Sequence, residues 1–94
     1  MTATLLVDDV VRIASHHRLR WEEAQGCYVL LYPEGIVQLN ETAAEILRRC
    51  EHAEVVASIV REVQTLYPEE PVEEDVRAFL EEAISHGWVS IERA

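Results

Sequence analysis

The run Tyr28-Val29-Leu30-Leu31-Tyr32-Pro33-Glu34-Gly35-Ile36-Val37-Gln38-Leu39-Asn40 constrains this chain more than any other. Tyr28 to Tyr32 is an unbroken series of aromatic and aliphatic residues bounded by turn formers, too short for a helix and suited to a strand. Pro33 presets φ for the first central position of a turn spanning Pro33 to Gly35, and Gly35 tolerates the left-handed conformation that returns the chain antiparallel. Gly35 to Leu39 then alternates weakly, with polar Gln38 between Val37 and Leu39. Asn40 is a strong helix N-cap, because its side-chain oxygen accepts from the free amides of the first turn. A strand, a turn, a second strand and a capped helix form a small α+β unit around which the remainder can be arranged.

Upstream, Arg18 to Ala24 reads as another strand, with Leu19 and Trp21 on one face and Arg18, Arg20 and Glu22 on the other. Gln25-Gly26 closes the turn into the strand beginning near Cys27, so the chain should contain a three-stranded antiparallel meander. Residues 1–17 read as an irregular N-terminal arm able to dock on a neighbour, and residues 18–94 as a single domain.

After Asn40 the period becomes helical. Ala43, Ile46, Leu47 and Cys50 recur at i, i+3, i+4 and i+7. Past a break near Glu51-His52-Ala53, Val56, Ile59, Val60, Val63, Leu66 and Tyr67 form a second stripe, which Pro68 and Pro71 must end. A third helix starts near Val72 or Glu73, with Val76, Phe79, Leu80, Ala83 and Ile84 inward and Gly87 as C-terminal cap. Trp88 to Ile91 is a last extended segment. Three short helices with a small antiparallel sheet define an α+β, winged-helix-like fold.

Charge narrows the partners. The chain carries 18 acidic residues against 8 basic ones, all Arg, for a net charge of −10. Winged-helix domains often bind DNA, but 69–82 holds seven acids and one Arg, so the third helix would repel phosphates. A protein partner fits better than nucleic acid or an anionic membrane, although acidic charge also simply keeps a small domain soluble. Glu73, Glu74 and Asp75 have an ordinary use at a helix N-terminus. No apolar run approaches the length of a membrane span, no signal peptide is evident, and Cys27 and Cys50 read as buried thiols, so a cytoplasmic location is expected.

No constellation for catalysis emerges. His16, His17, His52 and His86 are scattered, no cysteine pair has zinc-ligand spacing, and Gly26, Gly35 and Gly87 sit where turns and caps require them. Adjacent His16 and His17 on an extended chain point apart. The expectation is therefore no catalytic residue, no metal and no cofactor. What remains is protein recognition at the last strand of the meander, whose outer edge can accept an extended peptide.

Arg18-Leu19-Arg20-Trp21, the Tyr28 to Gly35 block, Val37, Leu39-Asn40, Ala43, Ile46-Leu47, Asp75-Val76, Phe79-Leu80 and Gly87-Trp88-Val89 together resemble the PqqD family of pyrroloquinoline quinone (PQQ) biosynthesis. The resemblance spans roughly Arg18 to Val89. The chain departs from that pattern at Glu51-His52, where the family commonly carries Asp-Gly, and in lacking N-terminal prolines. The resemblance implies a peptide chaperone related to the recognition elements of ribosomally made, modified peptides. Such a chain binds the precursor peptide PqqA and presents it to the radical S-adenosylmethionine enzyme PqqE, itself catalysing nothing. Related domains hold the peptide between the third strand and the third helix. Mapped here, those are Gly35, Ile36, Val37, Gln38 and Leu39, with Val76, Arg77, Leu80 and Ile84. Periodicity already assigns Val76, Leu80 and Ile84 to the core, which makes Arg77 the best helix candidate. The alternative is a winged-helix module for other protein contacts, such as dimerisation. Oligomeric state stays open between a monomer and a homodimer formed by segment exchange.

Overall fold

A computed structural model describes residues 5–92. The meander is present: β2 (Arg18–Glu22), β3 (Cys27–Tyr32) and β4 (Gly35–Gln38) form a sheet in the order β2-β3-β4, all antiparallel. Gly26 closes its first turn with φ 65° and its N–H donating to Glu22 O at 2.8 Å. The second turn differs from expectation. Tyr32 pairs directly with Gly35, so Pro33 and Glu34 alone make the turn, and Gly35 enters the ladder outside the left-handed region.

The expected N-terminal arm, whose residues 1–4 lie outside the described residues, holds a regular strand. β1 (Val10–Ile13) is the middle strand of a second sheet, order β5-β1-β6, with β5 (Glu54–Val55) on one side and β6 (Val89–Glu92) on the other. Asp8 and Asp9 mask this strand in the sequence, yet Val11 is fully buried and pairs with both Glu54 and Ile91. The same segment caps a helix. α2 (Val56–Leu66) has no side-chain cap, and its first amides donate to main-chain carbonyls instead: Val56 to Asp9 O and Ala57 to Val7 O, both at 2.9 Å.

α1 (Glu41–Arg48) is capped as expected, Ala43 N–H donating to Asn40 Oδ1 at 2.8 Å. It ends before Cys50, which sits in the following turn and is still fully buried. Glu51 and His52 make their bend without a positive φ, so the family's glycine is not required there. α3 (Glu73–Ser85) ends at Gly87, φ 80°, in a two-bond Schellman arrangement: Trp88 N–H to Ala83 O and Gly87 N–H to Ile84 O.

One core joins the layers. Leu30 from β3, Ile46 and Leu47 from α1, Ile59 and Val63 from α2, Val76 and Leu80 from α3, Val11 and Leu5 are each at most 1% exposed. Each such side chain contributes about 1.5–3 kcal/mol by leaving water. Leu66, expected in the α2 stripe, is 46% exposed beyond the turn that buries Val63.

Candidate functional site

The register of the meander decides what β4 offers. Leu39 N–H donates to Tyr28 O at 3.0 Å, so the main-chain groups of Leu39 face β3. Because direction alternates along a strand, those of Val37 and Gly35 also face β3, and those of Ile36 and Gln38 face outward. β4 is an edge strand, and among the described residues no strand pairs with that outward side. Its side chains alternate in the same rhythm. Ile36 is 54% exposed, Gln38 is exposed with its Nε2 donating to Gln25 Oε1 at 2.9 Å, Val37 is half-buried against the core, and Leu39 is buried.

β2 is the opposite edge, and its chemistry differs. Three of its five residues, Arg18, Arg20 and Glu22, are charged, and Arg20 bridges Glu22 at 3.1 Å. Charged side chains are a standard means of discouraging strand pairing, whereas β4 carries no charge. Between these edges Val29 is 1% exposed although it faces away from the main core, flanked by its ladder partners Arg20 and Gln38. Exposed Trp21 meets Tyr28 edge-on at 5.1 Å, and the Arg48 guanidinium lies 5.5 Å from the Tyr28 ring centre. Trp21, Tyr28, Leu39 and Ala44 help line a cleft of about 260 Å³ between this sheet and α1.

The helix residues mapped to the site are not equally available. Val76 and Leu80 are fully buried, and Ile84 is half-buried against the same core. Arg77 is half-buried, its Nη2 donating to Leu5 O at 2.9 Å and its Nη1 lying 3.7 Å from Glu73. Sequence reasoning missed Leu5 and Glu81, which meet at this point: Leu5 N–H donates to Glu81 Oε2 at 3.0 Å. Leu5 lies 76 positions from Glu81, and no local pattern announces that contact.

Other candidate chemistry is dispersed. His16 takes φ 65°, uncommon for a residue with a side chain, in the turn between β1 and β2. His17 stacks on Tyr32 at 6.0 Å and its Nδ1 lies 2.8 Å from Ser15 O. Among the described residues no three His, Cys, Asp or Glu side chains converge to hold a metal ion, and no helix is long and apolar enough to cross a membrane. Cys27 is half-buried rather than buried. Burial, and secondarily the charge of Glu54, pushes the Cys50 thiol up to about 12.

The fold is shared with a solved structure. The solution structure of the PqqD truncation of Methylobacterium extorquens PqqCD superposes with a TM-score of 0.77, covering 98% of this chain and 97% of that one at 28% identity. That domain is described as a stand-alone recognition element for ribosomally synthesized and post-translationally modified peptides. The class is therefore that α+β recognition-element fold. Residues 27–89 match the family Coenzyme PQQ synthesis protein D, and the chain belongs to the PqqD family. Relatives named PqqA binding protein include one from Methylococcus capsulatus, 43% identical over 92% of both chains. Another, from Stutzerimonas stutzeri, is 47% identical over 79% of this chain and 82% of its own.

Proposed function

We propose that this chain binds the precursor peptide PqqA in PQQ biosynthesis, taking it as an added strand on the outer edge of β4. The observation that carries this reading is the outward pair of main-chain groups on Ile36 and Gln38, on an edge with no charged side chain. Relatives named for PqqA binding supply the identity of the peptide. In strand addition, main-chain hydrogen bonds supply affinity and alternate side chains supply specificity. Exposed Ile36 and half-buried Val37, on opposite faces of the strand, would meet alternate side chains of the added chain. Ile36 and Gln38 carry the pairing, Gly35 and Leu39 bound it with main-chain groups turned toward β3, and Arg77 on α3 is the cationic contact of this reading.

In this reading the chain is a cytoplasmic chaperone that presents the peptide to the radical S-adenosylmethionine enzyme PqqE and performs no chemistry itself. Titration of isotope-labelled protein with synthetic PqqA tests the peptide step. Saturable shifts should centre on the Ile36 and Gln38 amides. Binding that leaves those amides unmoved places the site elsewhere, and no binding removes the function.

A further inference from the structure

One residue of the protein itself already offers its main chain to α3. Leu5 is completely buried, its N–H donates to Glu81 Oε2 and its carbonyl accepts from Arg77 Nη2. Arg77 and Glu81 are four residues apart, hence neighbours on one helix face. Together they supply an acceptor and a donor to both main-chain groups of a single residue, as the edge of a strand does. Among the described residues of this segment, the two that follow Leu5 stay outside: Leu6 and Val7 are 52% and 48% exposed. The chain then turns, Asp9 N–H donating to Leu6 O at 3.1 Å, and Val7 O and Asp9 O are held separately by the first amides of α2.

The clamp is not used fully by its occupant. Leu5 takes one guanidinium donor, and Arg77 Nε is buried with no hydrogen-bond partner among the described residues. Buried donors are rarely left unpaired, and a guanidinium can engage a second acceptor in the same plane. Because Val7 and Asp9 are anchored on α2, the Leu5 end can leave without dismantling β1.

We propose that Arg77 and Glu81 form a main-chain clamp for an extended peptide bearing a leucine-sized aliphatic residue, and that Leu5 fills this clamp until such a peptide displaces it. This rests on the peptide-binding reading above and adds a built-in competitor to it. Apparent affinity is then lowered by the fraction of molecules whose clamp is closed.

The test uses the full chain and synthetic PqqA. Leu5→Ala and Leu5→Gly weaken the occupant and leave Arg77 and Glu81 intact, so peptide affinity should rise by roughly three- to tenfold. In the wild-type protein, the Leu5 amide should exchange with solvent faster than that of Val11 through local opening, and faster again when PqqA is added. The exchange experiment does not depend on the variants folding. If PqqA binds while Leu5 stays protected and the variants gain nothing, the clamp is only a structural contact and the β4 reading survives. If Leu5 exchanges no faster than Val11 in the free protein, the clamp does not open and the proposal is wrong. If PqqA binds neither wild type nor variant, the peptide-binding reading fails and displacement fails with it.

Discussion

In the β5-β1-β6 sheet the middle strand, β1, has a partner on each side, and its partners come from distant parts of the chain. In β2-β3-β4 the strands follow one another directly, and β4 is left with one partner. β1 spends the main-chain groups of both its sides within the domain, whereas β4 leaves those of Ile36 and Gln38 without a strand partner among the described residues. Fully buried Val11 and half-exposed Ile36 express the same contrast in side chains. On the proposed binding mode, a mutation in β1 should therefore change stability, and one on the outward side of β4 should change binding.

The largest effect should come from Val11→Asp. It places a carboxylate at a fully buried position between two strands and should cost about 3 kcal/mol or more in urea unfolding. A loss well under 1 kcal/mol would show that the second sheet does not close the domain.

Next is the proline pair on β4. Gln38→Pro removes an outward donor and should weaken PqqA binding by roughly tenfold to a hundredfold, about 1–3 kcal/mol, with little change in unfolding. Val37→Pro removes a donor to β3 and should destabilise the fold itself. Equal effects of the two on stability would erase the difference between the faces of this strand.

The same contrast explains what the sequence disclosed. The meander, the Asn40 cap and the Gly87 terminus depend on residues a few positions apart, so turn chemistry and periodicity reveal them. β1 depends on pairing with Glu54 and with Val89 to Glu92, and Asp8 and Asp9 break its apolar run, so it reads as an arm. The cap of α2 is equally hidden, because the carbonyls of Val7 and Asp9 carry no side-chain signature. At the candidate site, the edge character of β4 was legible from the order of the strands. Which amides face outward was not, since that depends on the register fixed by Leu39 and Tyr28. Arg77 stood out as a lone cation, but its engagement with Leu5 spans 72 positions.

A smaller effect near neutrality separates the two thiols. Cys50, beside the β5-β1-β6 sheet, donates its N–H to Leu47 O and accepts from Ile13 through its carbonyl, and its thiol is raised to about 12 from an ordinary value near 9.0. A raised folded-state value means the contribution to stability is intact below the unfolded thiol range and declines as pH climbs from about 9 toward 12. A thiol reagent at pH 8 should accordingly label half-buried Cys27 first and reach Cys50 only on unfolding. Equal labelling rates in the native protein would contradict the burial of Cys50.

The smallest effect is expected on the surface of the β5-β1-β6 sheet. Arg12 and Glu92 pair across β1 and β6 at 3.4 Å, with their side chains 51% and 50% exposed. At that exposure the attraction is screened by water and salt, and two long side chains must be held in place to keep it. Arg12→Ala should therefore lower stability by only about 0–1 kcal/mol, and less in high salt. The paired backbone of β1 and β6 from Val10 to Ile13 stays intact in that variant, as does buried Val11. If Arg12→Ala instead approached the loss caused by Val11→Asp, the β5-β1-β6 sheet would owe its cohesion to surface charge. The distinction between a buried, fully paired strand and an open edge would then no longer account for where this molecule is rigid.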